Sequence, residues 1–338
     1  MTTIRDVAAR AQVAVSTVSR VINGTGYVSE KTRARVLKAM EELNFRPNEV
    51  ARSLKRRQTR SLGLAITDIS NPFFGEVAHA VEIAARSLGY SVLFASTGRE
   101  AAQEAGCIDL FLEKRVDGII WFAPRDRDKL REVMVKRRVP VVVITPMPDS
   151  RETHSVYVND ARGAYEAVSH LLRLGHRKIG YIAEPDEPGV SQERLRGYRW
   201  ALNEYGLELD PSLIVRGTFS EGAGSRAVDI FFRQRERAPT AIFAANDLMA
   251  IEAMSRLRSM GLRVPQDVAV VGFDDVKMAG LVGIDLTTVA QPKQEMGREA
   301  ALMLIDAIAN PRTVRQVVFT PYLVIRKSCG YYGSRGNE

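Results

Sequence analysis

With 338 residues, 45% of them hydrophobic and 26% charged, the chain is too long for one ordinary domain and too apolar to stay disordered. Its formal net charge of +8 lies wholly in residues 1–60, which hold 13 Lys/Arg against 5 Asp/Glu, while residues 61–338 hold 35 of each sign. A basic head on a neutral body points to a polyanionic partner for the head, most often nucleic acid, and the head's hydrophobic periodicity excludes a merely solvated arm.

Ile4, Val7, Ala8 and Ala11 recur at i, i+3, i+4 and i+7, the apolar stripe of a short helix that Thr2 or Thr3 is placed to cap. After a brief break, Val18, Val21 and Ile22 mark the buried face of a second helix over about 15–22, which Asn23-Gly24-Thr25-Gly26 stops. Ser16, Ser19 and Arg20 point away from that face, with Val15 beside them. A third helix over about 30–44 buries Val36, Ala39, Met40 and Leu43, with Ser29 as its cap. Three short helices, the first two joined by a tight turn, make a helix-turn-helix. Its second helix is expected in the major groove of double-stranded DNA, with Val15, Ser16 and Arg20 facing base edges. There Arg20 can pair bidentately with guanine, Ser16 can accept or donate, and Val15 can touch a thymine methyl. A three-helix unit alone is more often plain structure than a DNA reader. The located charge and the polar outward face are what favour DNA.

Pro47 ends the head, and Asn48 can cap a short segment from Glu49 to Arg56. About eight residues is too short for a stable isolated helix, so this segment is expected to order only on binding. Arg52, Lys55, Arg56 and Arg57 surround Leu54 and favour DNA over an ordinary linker resting on the body.

From residue 61 apolar strands alternate with amphipathic helices. LGLAIT (62–67), SVLFAS (91–96), DGIIWFA (117–123) and PVVVIT (140–145) are short buried runs separated by helices around 76–88, 101–115 and 127–138. A second series runs VYVND, helix 161–174, KIGYIAE, helix 192–205, AIFAAND, helix 248–260 and VAVVGFDD. This alternation means parallel sheets with helices on both faces, and two series imply two lobes. The segment LTTVAQP and helix 293–309 are expected to cross back to the first lobe.

Ligands of such sheets bind beyond the carboxyl ends of the strands. Those ends carry Asp68, Ser70 and Asn71, then Asn159-Asp160, Asn246-Asp247 and Asp274-Asp275. Helix capping accounts for some of them, and convergence on one cleft would account for the rest. Arg194, Tyr198, Ala201 and Tyr205 share one helix face that belongs mostly on the buried side. A guanidinium there needs either a cleft ligand with hydroxyl or carboxylate oxygens or an internal ion pair.

The strings TVSRVIN and RPNEVARSLK are highly specific, and the chain to about residue 328 resembles the LacI/GalR family of bacterial transcription regulators. The resemblance implies a small all-α helix-turn-helix DNA-binding domain (1–46), a hinge helical on DNA (47–60) and an α/β two-lobed type I periplasmic-binding-protein-like domain (61–328). The first lobe would take about 61–157 plus 291–320, the second 158–290, with 329–338 as a tail. It further implies backbone contacts from Thr17, Ser19, Asn23, Ser29 and Thr32, and a minor-groove wedge by Leu54 flanked by Ala51 and Lys55. Arg194, within an RxxG pattern completed by Gly197, together with Asn246, Asp274 and Gln291, matches effector-contact positions of the family. Phe73 and Phe219 match positions where aromatics stack on the ligand.

Three departures stand out. Ala14 replaces a serine that caps the recognition helix and contacts a phosphate in most members. Thr145-Pro146-Met147-Pro148 stands where sugar-responsive members carry an acidic residue, and Pro188 and Val190 make the loop before Arg194 apolar. A sugar or sugar phosphate remains the favoured effector, with a nucleoside or a phosphoprotein co-regulator as alternatives.

Enzyme signatures are missing. No GxxxxGK[ST], HExxH or GxSxG occurs, and GTGYVS at 24–29 is an incomplete GxGxxG between helices. His79, His154, His170 and His176 lack metal spacing, with His170 and His176 reading as surface residues, and no cofactor is expected. Two cysteines exclude a disulfide framework, no apolar run is long enough to span a membrane, and the N-terminal stretch is not a secretory signal. The chain therefore reads as a cytoplasmic, homodimeric, effector-responsive regulator, most simply a repressor of carbohydrate genes that binds a palindromic operator. The rival reading from another class is an enzyme acting on the cleft ligand.

Overall fold

The computed structural model describes residues 2–45, 58–98, 100–146, 152–185, 189–217, 222–310 and 314–330. It divides into two compact units, with the boundary between Arg60 and Ser61.

The described residues of the head form three helices, α1 (Ile4–Ala11), α2 (Val15–Asn23) and α3 (Glu30–Glu42). Thr3 starts α1, and the Asp6 carboxylate accepts from its backbone N–H at 2.7 Å and from its hydroxyl at 2.8 Å. Ala14 is the N-cap residue of α2 and offers no side-chain acceptor. Gly24, at φ +64°, ends α2 in the left-handed region that suits glycine. Ser29 caps α3 by accepting from the Thr32 N–H at 3.4 Å. Val7, Ala8, Ala11, Val18, Val21, Val36 and Ala39 are the buried core of this unit. Arg35 fastens α3 to the end of α1 by donating to the carbonyls of Ala11 at 2.7 Å and Gln12 at 3.0 Å.

The body begins with β1 (Ser61–Ile66), α4 (Pro72–Ser87), β2 (Ser91–Ser96), α5 (Ala101–Glu113), β3 (Gly118–Phe122), α6 (Arg127–Arg131), β4 (Val141–Ile144) and β5 (His154–Val158). Helix α4 starts four residues earlier than the apolar periodicity indicated. Asn71 accepts from the Phe73 N–H at 3.0 Å, and Pro72 occupies the first helical position, where its missing N–H costs nothing. The second series is α7 (Asp160–Arg173), β6 (Ile179–Ala183), α8 (Val190–Glu204), β7 (Ile214–Arg216), α9 (Ala223–Phe231), β8 (Ala241–Ala244), α10 (Asp247–Ser259) and β9 (Ala269–Asp274). The chain then runs through β10 (Thr287–Ala290), α11 (Lys293–Ala309), β11 (Gln316–Phe319) and β12 (Tyr322–Val324).

Two six-stranded sheets result, in the orders β11-β5-β4-β3-β1-β2 and β12-β10-β9-β8-β6-β7. All described pairings are parallel except β10 with β12. The chain passes between sheets three times: after β5, after β10 and between β11 and β12. Thr287–Ala290 stays in the second sheet beside β9, and the crossing follows it at Gln291-Pro292. Helix α11 packs on α4 in the first lobe, as expected.

Strands β7, β11 and β12 and helix α9 escaped the sequence reading. The three strands are only three or four residues long, too short for alternation to register. Gly197 and Gly297 show how closely the helices pack: a Cβ on either would run into the carbonyl of Ala161 or Val77 on the neighbouring helix. His170, expected at the surface, is instead 5% exposed with its Nε2 3.3 Å from Cys329 Sγ. The buried Cys329 belongs to the core even though the tail was placed from that residue. Among the described residues no helix is long and apolar enough to cross a membrane.

Candidate functional site

In the head, burial of Val18 and Val21 turns the opposite face of α2 outward. Val15 is 42% exposed, and Ser16 and Arg20 are exposed beside it. The residues matched to backbone contacts are partly engaged with one another. Asn23 Nδ2 donates to the Ser19 carbonyl at 2.8 Å and to its hydroxyl at 3.2 Å. Ser29 donates to the Thr32 hydroxyl at 2.9 Å. Thr17 is half-buried on the same helix. Tyr27, 90% exposed in the loop after α2, was not singled out from sequence; an aromatic beside Gly26 in a basic segment was its signal. Ala51, Leu54 and Lys55 lie outside the described residues.

In the body, a cleft with about 850 Å³ of open space receives side chains from both lobes. Asn71, Phe73, Asp160, Arg194, Asp274 and Gln291 all line it, so six positions scattered over more than 200 residues of chain meet at one place. The crossings explain part of this convergence. Asp160 follows the first crossing and Gln291 begins the second, so both lie where the strands of the two lobes end. Asn246 is not among the lining residues; its side chain accepts from the Met249 N–H at 2.9 Å and caps α10. Asn159 likewise caps α7, accepting from the Arg162 N–H at 3.0 Å. Phe219 lies outside the described residues.

Arg194 is 4% exposed, and the protein itself supplies its partners. Nε donates to Asp160 Oδ1 at 2.8 Å and Nη1 to the Ala245 carbonyl at 2.5 Å. Asp274 and Glu184 stand 3.9 and 4.0 Å away, and the guanidinium carbon sits 3.8 Å from the centroid of the Phe273 ring. Of the two sequence-level readings, the internal ion pair is therefore present, at the wall of the cleft. Burial alone would pull the Arg194 pKa down, but Asp160, Glu184 and Asp274 outweigh it and raise it. Burial pushes Asp160 up to about 6 despite Arg194, and raises Asp274 well above its ordinary 3.8. Asp274 also accepts from Gln291 Nε2 at 2.7 Å.

Glu104 and Glu184 line the cleft as well and were missed. Glu104 is 1% exposed, and its pKa is raised by burial although the N–H groups of Arg125 and Asp126 donate to it at 3.0 and 3.2 Å. Sequence showed it only as an acid in the first turn of a helix, an ordinary place for one. Phe73, Phe74 and Phe122 form an apolar wall, with Phe74 edge-on to both of the others. The cleft thus sets four carboxylates against two guanidiniums, of which Arg194 is buried and already paired. Among the described residues, no group of three His, Cys, Asp or Glu is arranged to hold a metal ion.

Two family models match the chain: one described as bacterial regulatory proteins, lacI family, over residues 3–48, and one as a periplasmic binding protein-like domain, over residues 168–329. The HTH-type transcriptional repressor PurR of Aliivibrio salmonicida (strain LFI1238) is 37% identical over 330 residues, covering 97% of this chain and 99% of that one. Among solved structures, a lac repressor dimer bound to operator and the anti-inducer ONPF aligns with a TM-score of 0.87 at 30% identity, covering 97% of this chain and 99% of that one. A complex of the transcriptional regulator CelR with cellobiose aligns with a TM-score of 0.72 at 33% identity, covering 97% and 100%.

Proposed function

The chain belongs to the lacI family of bacterial regulatory proteins and is a DNA-binding transcriptional repressor, not an enzyme, and from that premise we propose that an unphosphorylated sugar in the body cleft sets its operator affinity. The observation that carries the ligand reading is the caged Arg194. A phosphate needs a cation it can recruit, and here the buried guanidinium already faces three carboxylates, while Arg125, the other cation of the lining, stands among four carboxylates that would repel the ester. Polar groups such as Asn71, Asp160, Asp274 and Gln291 suit hydroxyls, and the phenylalanine wall suits the C–H face of a sugar ring. The cellobiose-bound structure supports the same reading. A nucleoside is the second reading, because the aromatic wall also fits a planar base.

On the DNA side, Val15, Ser16 and Arg20 read base edges, and Thr17, Ser19, Asn23, Ser29 and Thr32 hold the backbone. Two heads of a cytoplasmic homodimer occupy the half-sites of a palindrome, with Ala51, Leu54 and Lys55 of each hinge at its centre. An effector preferring one lobe arrangement shifts DNA affinity, and DNA shifts effector affinity by the same factor.

Two experiments test this. Calorimetry on the full chain with cellobiose, ribose, ribose 5-phosphate and adenosine should show a neutral sugar binding and the phosphate ester at least about tenfold weaker than ribose. Tighter binding of the ester overturns the sugar reading, and adenosine alone binding moves it to the nucleoside. Selection from a random DNA library at two salt concentrations should enrich a palindrome whose binding weakens steeply with salt.

A further inference from the structure

Lysine is poorly suited to the first position of a helix, where the positive end of the macrodipole favours acids. Yet α11 opens with Lys293, and its side chain is 8% exposed. A buried ammonium in that position requires partners from elsewhere in the fold. Nζ donates to the Asp274 carbonyl at 2.7 Å and to the Asp275 carbonyl at 2.6 Å, and stands 3.8 Å from Glu76 Oε2. The carbonyls end β9 in the second lobe, whereas Glu76 lies on α4 in the first.

Both ends of this bridge are under constraint. Asp274 and Asp275 have φ of +117° and +52°, two successive non-glycine residues in the left-handed region, which persist only where the surroundings hold them. Arg326 grips the Asp275 carboxylate at 2.7 Å, and Lys293 gathers the two carbonyls. On the first lobe, Glu76 Oε1 is buried with no hydrogen-bond partner among the described residues, so this carboxylate leans on Lys293 for compensation. The Asp274 carboxylate faces the cleft, and Gln291, which donates to it, lies two residues before Lys293 at the second crossing.

We propose that Lys293 is the positioning residue that aims Asp274 into the cleft and carries a change at Asp274 across the lobe crossing to Glu76 and helix α4. This rests on the cleft being the effector site, but its test needs no effector: neutralising Asp274 stands in for ligand contact.

Hydrogen exchange of peptides from 72–87 is measured in the full-length protein for wild type, Asp274→Asn, Lys293→Met, Glu76→Gln and the two double variants with Asp274→Asn. Asp274→Asn should change exchange in α4 by roughly 2- to 30-fold, the range of such couplings. In the Lys293→Met or Glu76→Gln background it should add nothing. Because coupling is reciprocal, Glu76→Gln should in turn change exchange of 274–276, which a bridge serving only the local packing of α4 would not do. Should Lys293→Met fail to fold, the Glu76→Gln pair decides alone. An unchanged α4 in Asp274→Asn, or an equal effect in every background, overturns the proposal. Ligand titrations that fail while this coupling holds would count against the sugar reading only.

Discussion

Arg194 on α8 donates to Asp160 at 2.8 Å, and Asp160 is the first residue of α7, directly after the first crossing between the lobes. The side chains are 5% and 3% exposed, so a buried ion pair stands where the lobes join and where the cleft opens. Its cost of desolvation is offset by further partners: the Ala245 carbonyl, the Phe273 face, Asp274 and Glu184.

Arg194→Ala is therefore expected to do more than lower effector affinity. Leaving Asp160 and Asp274 buried without their cation should destabilise the body by about 3–5 kcal/mol. Arg194→Lys keeps the charge without the planar fork and should cost less. Urea unfolding of the full chain measures both, and unchanged midpoints would show that the pair contributes nothing to the fold.

Gly197→Ala should separate α7 from α8, because the added methyl meets the Ala161 carbonyl, which belongs to a helix backbone and cannot turn aside. An overpacking cost of about 1–3 kcal/mol is expected. A thermal midpoint equal to wild type would mean that the two helices part freely.

Ala14→Ser supplies the acceptor that α2 lacks. The head should gain about 1 kcal/mol. If the hydroxyl also reaches a phosphate, operator affinity should rise while the slope of log affinity against log salt stays as in wild type, because a neutral contact releases no counterion. Calorimetric melting and DNA titration at several salt concentrations separate the two effects, and a head melting no higher than wild type would exclude the cap.

Arg20→Ala should weaken binding to the selected operator by about 1–3 kcal/mol and relax preference at one base pair in each half-site. A uniform loss at all positions, with a shallower salt slope, would reassign Arg20 to the phosphate backbone.

Burial, then Arg173 and His176, hold the His170 pKa below its ordinary 6.5. As pH falls below 6.5 the unfolded chain takes up a proton that the folded chain refuses. The stability associated with neutral His170 is complete above pH 6.5 and is lost as pH falls toward the lowered value. The difference in unfolding free energy between wild type and His170→Gln should therefore shrink from pH 7.5 to 5.5. A constant difference across that range would place the histidine in solvent-like surroundings.

Much of this molecule was legible in its residue order, because the relevant physics is local. A stripe at i, i+3, i+4 and i+7 needs only a helix to become a buried face, and the located charge of the head needs no fold at all. The alternation of short apolar runs with amphipathic helices led to two parallel sheets, and strand ends pointed to Asn71, Asp160 and Asp274 at one cleft.

What only the tertiary structure decided are the long-range partners. Arg194 was known to need a partner, and the chain alone favoured a cleft ligand over an internal ion pair. The choice of Asp160, 34 positions away, follows from the packing of α8 on α7. His170 read as surface because polarity predicts exposure, yet Cys329 and Thr287 reach that region from strands and turns 100 or more residues distant. Lys293 read as nothing at all, since its position at a helix start is unfavourable by every local rule. Local periodicity sets which face of an element is buried; the pairing of buried charges depends on how elements distant in the chain pack together, and that is settled only when the whole body closes.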